Sequence, residues 1–240
     1  SFLQCGEGAL TMHLGDGIDP AINRRVTALQ GAIGSAGLRG ITDLIPAYAD
    51  LTVCYDCTVI SAKALQRQLR RLLDSLSVAG QDRRRVFRLP VCYGGDYGPD
   101  LDFVCHHSGL SAQEVIELHS APDYLIYMLG FLPGFAYLGG LDPRLHTPRL
   151  DSPRTCIPAG SVGIGGAQTG VYPLASPGGW QLLGRTPVSV FDRQRQEPIL
   201  YRAGDLVHFV PISPAEYEEI ARAVAAGTYT VQVEEVPVCD

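Results

Sequence analysis

The feature that most constrains the fold is the order of strand and helix patterns in the first part of the chain. Leu10, Met12 and Leu14 alternate as in a half-buried strand, and Asp19-Pro20 then offers an N-cap followed by proline at the first helical position. Further along, the patterns predict strands at 41–47 and 51–55, a helix capped by Ser61 and a closing strand at 86–91. The order β-α-β-β-α-β is that of a split-βαβ, ferredoxin-like domain.

The composition changes after Pro90, where glycine and proline become dense and helix signals become rare. Two capping boxes, beginning at Ser111 and Ser213, predict short helices. The rest favours strands separated by turn residues, which we predict at 124–129, 188–191, 199–201, 205–212 and 228–233. The sequence therefore predicts an α+β protein with an α+β domain at 1–85 and a mostly β domain at 86–240.

Charge and hydropathy exclude several classes of partner. The formal net charge is −6, so no overall positive field exists to attract nucleic acid or anionic lipid. No apolar run approaches the ~18 residues of a membrane-spanning helix, and the first residues do not resemble a secretion signal. We therefore expect a cytoplasmic protein that binds neither nucleic acid nor membrane. Its seven scattered cysteines favour free thiols over a disulfide framework.

The glycine-rich stretch 160–170 invites comparison with nucleotide-binding loops. Gln168 stands where a dinucleotide-binding motif needs its third glycine, and a phosphate loop needs a lysine where this chain has only Lys63. Two interpretations stay open: glycines that serve only barrel corners, or a loop that also contacts a ligand. A metal site at Cys105-His106-His107 with His119 lacks any fixed geometry, so we expect no bound metal in this chain.

Aromatic residues in a Gly/Pro-rich segment suit the wall of a binding groove, with nearby polar groups that can bind an amide or phosphate oxygen. The alternative is that these aromatic residues only pack loops and that the arginines are solvated. The candidate catalytic residues are Arg154, Gln168 and Arg185. The candidate groove residues are Phe131, Pro133, Phe135, Tyr137, Ser161, Thr169, Tyr172, Trp180 and Gln181.

Several ordered segments together resemble one family, the B subunits of 5-oxoprolinase, also called allophanate hydrolase subunit 1 or the KipI family. The segments that carry the resemblance are 45–48, 89–101, 131–144, 158–164, 166–170 and 176–181. The resemblance implies a ferredoxin-like N-terminal domain and a cyclophilin-like β-barrel as the C-terminal domain. Cys57 departs from the proline that the family pattern leads us to expect, with no evident functional cost.

The resemblance also implies a function. Members form a heteromeric complex with the C subunit, which is the allophanate hydrolase subunit 2 homologue, and with the A subunit. The complex is a hydrolase that opens the lactam 5-oxoproline to glutamate using ATP, with Mg held mainly by the complex, and this chain alone is expected to be inactive. Phosphorylating the amide oxygen first would create a better leaving group. In this scheme Gln168 and Arg185 are expected to face each other across the groove.

Two other functions stay open at this stage. KipI-like relatives are binding proteins that inhibit a sensor histidine kinase through the cyclophilin-like domain. Peptidyl-prolyl isomerase activity rests on analogy with the barrel fold alone. Copurification with a homologue of the C subunit and ATP-dependent 5-oxoproline turnover would favour the enzyme component.

Overall fold

The computed structural model describes residues 1–76 and 83–237 and divides the chain into two compact units, Ser1–Asp82 and Arg83–Asp240. Six cysteines lie in the described ranges, and all six are free thiols. Cys239 lies outside these ranges. No helix of the described residues is long and apolar enough to cross a membrane.

The N-terminal unit packs two helices on one face of a four-stranded antiparallel sheet. Asp19 caps the first helix by accepting hydrogen bonds from the backbone N–H groups of Ala21 and Ile22, and Ser61 caps the second, as the sequence predicts. The sheet has the order β1-β2-β4-β3. In chain order the elements are β1 Phe2–Cys5, β2 Ala9–His13, α1 Pro20–Ala36, β3 Ile41–Pro46, β4 Asp50–Tyr55 and α2 Ala62–Asp74.

The ferredoxin-like arrangement is not confirmed, because the predicted closing strand belongs to the other unit. Residues 86–91 lie in a long strand, β5 (Arg83–Tyr93), whose strand pairings are all with strands of the C-terminal unit. The edge beside β2 is occupied by β1, which a short turn at Gly6–Gly8 brings back as a hairpin. Such a local pairing costs little loop-closure entropy. β1 is missed from sequence because its side chains are mostly exposed and show no alternation.

The C-terminal unit is a closed barrel of seven strands, which fits the expected cyclophilin-like domain. The strands follow the order β5-β12-β9-β10-β7-β6-β13, and β12 pairs back onto β5 while β14 adds to the edge of β5. The elements after β5 are α3 Leu101–Ser108, α4 Ala112–Ser120, β6 Tyr124–Leu129, β7 Ala136–Gly139, a 3-10 turn Pro143–Leu145, β8 Arg154–Ile157, β9 Ser161–Gly165, β10 Gln168–Val171, β11 Ser176–Gly178, β12 Gln181–Arg185, β13 Leu206–Ile212, α5 Pro214–Ala225 and β14 Gln232–Pro237.

In this unit the predictions that depend on local sequence signals are confirmed, and some of the predicted strands are not. Both capping boxes form at the starts of α4 and α5, and the strand at 124–129 is present as predicted. The predicted strands at 188–191 and 199–201 are wrong: the two segments meet only in an isolated bridge between Phe191 and Ile199. Their alternating apolar residues, Val188 and Val190, pack against the barrel core from an irregular loop. The last strand begins at Gln232, later than the predicted start at 228.

Candidate functional site

The predicted groove aromatics form one cluster centred on Phe135. Its ring makes edge-to-face contacts with Phe131, Tyr137, Tyr172 and Trp180, with centroid separations of 5.1–5.6 Å. Phe135, Tyr172 and Trp180 are buried. These three residues therefore act mainly as a satellite core, and only the outer members, Phe131 and Tyr137, present surface to a ligand or partner.

Trp180 lies against Gly165, and the glycine is required there because a Cβ atom would overlap the indole ring. The guanidinium carbon of Arg149 lies 5.9 Å from the centroid of the Trp180 ring. Gln181 follows Trp180 and is buried, and its side-chain amide donates to the backbone oxygen of Pro148 at 3.0 Å. The structure thus gives Gln181 a loop-anchoring contact.

Phe131 is the exposed tip of the cluster. It is 65% exposed and has a backbone φ of +67°, the one positive φ at a non-glycine residue within 1–76 and 83–237. A bulky side chain in this region of φ/ψ space is unfavourable. The turn is held by hydrogen bonds from Leu132 N–H to Gly130 O and from Phe135 N–H to Leu132 O, and Pro133 is exposed beside it. The loop therefore keeps an aromatic ring in solvent at a cost in backbone strain.

Arg154 is held by a nearly buried carboxylate. Its Nη2 donates to Oδ1 of Asp100 at 2.7 Å, and its Nη1 donates to Trp180 O at 3.4 Å. The other carboxylate oxygen of Asp100 accepts from the Leu182 backbone N–H at 2.7 Å, and Asp100 is 8% exposed. The ion pair joins β8 to β12 through the residue that precedes α3. Sequence reasoning missed Asp100 as a partner, although Pro99-Asp100 before a helix start was a signal.

Arg185 has different surroundings. It ends β12, directly opposite Ser161 on β9 and Cys92 on β5. Its guanidinium carbon lies 6.0 Å from the centroid of the Tyr97 ring, which packs against the Tyr217 ring with a centroid separation of 4.4 Å. None of the ion pairs found among the described residues, within 4.0 Å, involves Arg185.

Two polar atoms at this position are buried without a hydrogen-bond partner, Nε of Arg185 and Oγ of Ser161. Ser161 is completely buried. An unsatisfied buried polar group costs about 1–3 kcal/mol, so such groups need an explanation. Of the predicted polar site residues, Arg185 and Ser161 are thus brought together by the strand register.

Gln168 and Arg185 are not brought together. β10 and β12 flank β9 on opposite sides, with Gln168 opposite Gly165 and Arg185 opposite Ser161. The rise of a strand places these two positions ~13 Å apart along β9. Gln168 is half-buried at the start of β10, opposite Gly165, which lies against Trp180, so the expectation that Gln168 faces Arg185 across one groove is wrong.

Thr169 belongs to a buried polar chain. Its hydroxyl donates to Gly163 O at 3.1 Å and lies 2.7 Å from Nε2 of His119, whose Nδ1 is 2.8 Å from the Tyr93 hydroxyl. Burial lowers the pKa of His119 to about 3, so the ring is neutral at pH 7. Every member has a partner, and this centre stabilises the barrel. Within the parts of the chain that the structure describes, no three His, Cys, Asp or Glu side chains converge to hold a metal ion.

Comparisons of the sequence with known proteins find a matching family and similar proteins. Residues 1–201 match the family described as carboxyltransferase domain, subdomain C and D. The chain is 42% identical to the 5-oxoprolinase B subunit of Bacillus subtilis (strain 168) over 224 residues, covering 89% of this chain and 93% of that protein. It is 46% identical to the 5-oxoprolinase B subunit of Escherichia coli O157:H7 over 207 residues, covering 86% and 93%.

A solved structure extends the comparison to the fold. The crystal structure of TTHA0988 superposes with a TM-score of 0.76 at 40% sequence identity, covering 85% of this chain. This chain spans only 40% of the TTHA0988 chain. The segment therefore occurs in that protein as one part of a longer polypeptide.

Proposed function

This chain belongs to the carboxyltransferase subdomain C and D family and within it to the 5-oxoprolinase B subunits, and from that membership we propose that it is the B subunit of an ATP-dependent 5-oxoprolinase. The observation that carries the proposal is the identity of 42–46% over almost the full length of two proteins with that name. The reaction is hydrolysis of the lactam of 5-oxoproline to glutamate, coupled to ATP. The protein works in the cytoplasm.

The contacts of the described residues support a non-autonomous component. Ser161 has no basic partner, because its hydroxyl is buried without any hydrogen bond. His119 is neutral and occupied on both ring nitrogens. The Thr169 hydroxyl lies within hydrogen-bond reach of His119, but it donates to Gly163 O and both side chains are fully buried. Neither position therefore offers a substrate an accessible nucleophile beside a base, which is the minimum for autonomous acyl chemistry. We infer that the attacking group is supplied by the C subunit or the A subunit, and that this chain binds and orients.

ATP is the proposed cosubstrate of the assembly. We propose that the Mg²⁺ of ATP is held mainly by the partner subunits. Mg²⁺ is usually bound through one or two carboxylates together with phosphate and water oxygens, and the side chains shown beside Arg185 are neutral. Arg154, with its hydrogen-bonding capacity directed to Asp100 and Trp180, is proposed to position β8 and β12, while Gln168, Phe131 and Tyr137 are proposed as contacts with substrate or partner.

The test is reconstitution. The chain is purified alone and after coexpression with the C and A subunits, and glutamate and ADP are measured with 5-oxoproline and ATP supplied. We expect turnover only from the assembly, with one ADP formed for each glutamate. Turnover by the isolated chain, or a purified assembly of all three components without turnover, would contradict the proposal.

The kinase-inhibitor alternative is not favoured, because the relatives that match most of this chain carry the name of an enzyme component. The buried polar groups at Arg185 are also more than an apolar docking surface requires.

A further inference from the structure

The clearest unassigned feature of the barrel is the cation of Arg185, because every side chain shown to lie next to it is neutral. The Tyr97 ring faces the guanidinium and packs against the Tyr217 ring at a centroid separation of 4.4 Å, and burial is the main cause that raises the pKa of both phenols. Burial likewise raises the pKa of the Cys92 thiol on the neighbouring strand, so this group stays protonated at pH 7. Phenols, a thiol and a hydroxyl therefore surround the arginine.

The carboxylate of Glu218, which interacts with the Tyr97 phenol, does not neutralise Arg185. Glu218 is exposed and accepts a hydrogen bond from the Tyr97 hydroxyl at 3.1 Å. It forms no ion pair with Arg185 within 4.0 Å. A half-buried positive charge without a close counter-ion keeps most of its desolvation cost, so an anion that enters here gains more than it would at an exposed arginine.

A second observation is independent of charge. The Ser161 hydroxyl is fully buried and unpartnered, and the strand register puts its side chain next to that of Arg185 on the same face of the sheet. Replacing both groups by apolar ones would remove the cost of two orphaned polar atoms. Two adjacent polar groups without partners indicate a position that a group from outside the chain completes.

We propose that Arg185, Tyr97, Tyr217 and Ser161 form an oxyanion-binding pocket at the end of β12 that holds the carboxylate or phosphoryl group of a small-molecule substrate. Arg185 supplies the planar fork of N–H donors, and the Tyr217 hydroxyl can donate from its rim. The Tyr97 ring walls the fork, because its hydroxyl already donates to Glu218. Ser161 is a positioning residue behind Arg185. The identity of the ligand, 5-oxoproline or ATP, rests on the proposed function. The existence of the pocket does not.

The direct test observes the Nε–Hε resonance of Arg185 by NMR in the isolated ¹⁵N-labelled chain, assigned from its loss in Arg185→Lys. Sodium 5-oxoproline, sodium phosphate and the uncharged 5-oxoprolinamide are titrated at constant ionic strength. We expect a saturable shift with at least one anion and none with the amide. A shift with 5-oxoproline alone identifies the substrate carboxylate, and a shift with phosphate alone identifies the nucleotide; either supports the pocket. No saturable shift, or an equal one with the amide, overturns it.

The second test uses the reconstituted assembly with Arg185→Lys, Ser161→Ala and the control Arg88→Lys. Arg88 is also half-buried, on β5, but is neutralised by Glu234 through two hydrogen bonds. We expect Arg185→Lys to raise KM for the bound substrate at least tenfold, Ser161→Ala to raise it less, and Arg88→Lys to leave it unchanged. Unchanged KM in Arg185→Lys overturns the pocket. A wild-type assembly without turnover refutes the proposed function instead, and the NMR titration then still decides the pocket.

Discussion

Two arginines of the same barrel have opposite surroundings. Arg154 donates to a nearly buried carboxylate and to a backbone oxygen, and that carboxylate also accepts from a strand N–H. Arg185 lies among neutral side chains, and its Nε has no acceptor. One loop, Gly94–Asp100, contacts both, since it carries Tyr97 to Arg185 and Asp100 to Arg154. The comparison teaches that a satisfied ion pair marks an element of the scaffold, whereas an unsatisfied cation marks a place for a ligand.

The largest effect should come from the satisfied centre. Asp100→Ala leaves Arg154 and the Leu182 N–H without their acceptor, and we expect the free energy of unfolding to fall by about 3 kcal/mol. Urea denaturation followed by fluorescence of Trp180, the one tryptophan, reports on the barrel unit. The control is Glu235→Ala, which removes the carboxylate partner of Arg83 in an ion pair whose side chains are both exposed, and it should cost less than about 1 kcal/mol. Equal losses of unfolding free energy in both variants would contradict the distinction between a buried and an exposed ion pair.

The buried chain of Tyr93, His119 and Thr169 is a third polar centre that sharpens the comparison, because its groups are all hydrogen-bonded and none is charged. The folded-state pKa of His119, about 3, lies below its ordinary value of 6.5, so its contribution to stability is complete above pH 6.5 and is lost as the pH falls. Below pH 6.5 the unfolded chain binds the proton first, which costs ~1.4 kcal/mol for each pH unit, or ~2 kcal/mol at pH 5.

The measurement is urea denaturation at pH 7 and pH 5 for the wild-type chain and for His119→Gln. Both proteins share all other titrating groups, so the difference in their pH dependence isolates His119. We expect the variant to be less stable at pH 7 but to lose about 2 kcal/mol less on acidification. Parallel curves would show that His119 accepts a proton in the folded barrel.

The Phe131 loop should show a smaller effect on stability, which comes from backbone strain at one residue. Phe131→Gly should be more stable than Phe131→Ala by about 1 kcal/mol, because glycine adopts a φ of +67° without strain. Both variants lose the same ring, so their difference in the midpoint of thermal unfolding reports the backbone alone. Identical midpoints would mean that the loop relaxes to a negative φ.

The smallest effect is expected at the unsatisfied cation. Arg185→Met removes no ion pair, and the loss of the contact with the Tyr97 ring is offset by relief of the unpartnered Nε–H. The free energy of unfolding should therefore change by no more than about 0.5 kcal/mol in either direction. Urea denaturation of the two proteins side by side measures it. A loss as large as that in Asp100→Ala would show that Arg185 serves the scaffold after all.

Sequence reasoning succeeded where information is local. The N-caps at Asp19 and Ser61 and the capping boxes at Ser111 and Ser213 depend on residues within one helical turn, and all four form. The turn residues predicted only a mostly β domain, the family resemblance implied the barrel, and the barrel is present. β1 was not predicted because a mostly exposed edge strand shows no alternation of apolar and polar residues. The strands predicted at 188–191 and 199–201 are wrong because apolar residues can be buried against a core without forming strand hydrogen bonds.

The site was harder to predict for a physical reason. Arg154 and Asp100 are 54 positions apart, and nothing in either local pattern specifies their contact. Arg185 was recognised as a candidate, but its neighbours come from β5, β9, the Gly94–Asp100 loop and α5, which only the closed barrel brings together. Gln168 and Arg185 lie in adjoining glycine-rich segments of the sequence, and the register of β9 separates them.

The placement of β5 has a consequence for synthesis on the ribosome. The four strands of the N-terminal sheet are all present once β4 has been made, so that sheet can form while later residues are still being added. β5 emerges soon afterwards, but its partners β12, β13 and β14 lie about 90 to 150 positions downstream. During that interval β5, with its apolar residues Phe87, Leu89 and Val91, has no partner strand to pair with. The nascent chain thus carries an aggregation-prone segment until the barrel closes, and a chaperone would protect it most at that stage.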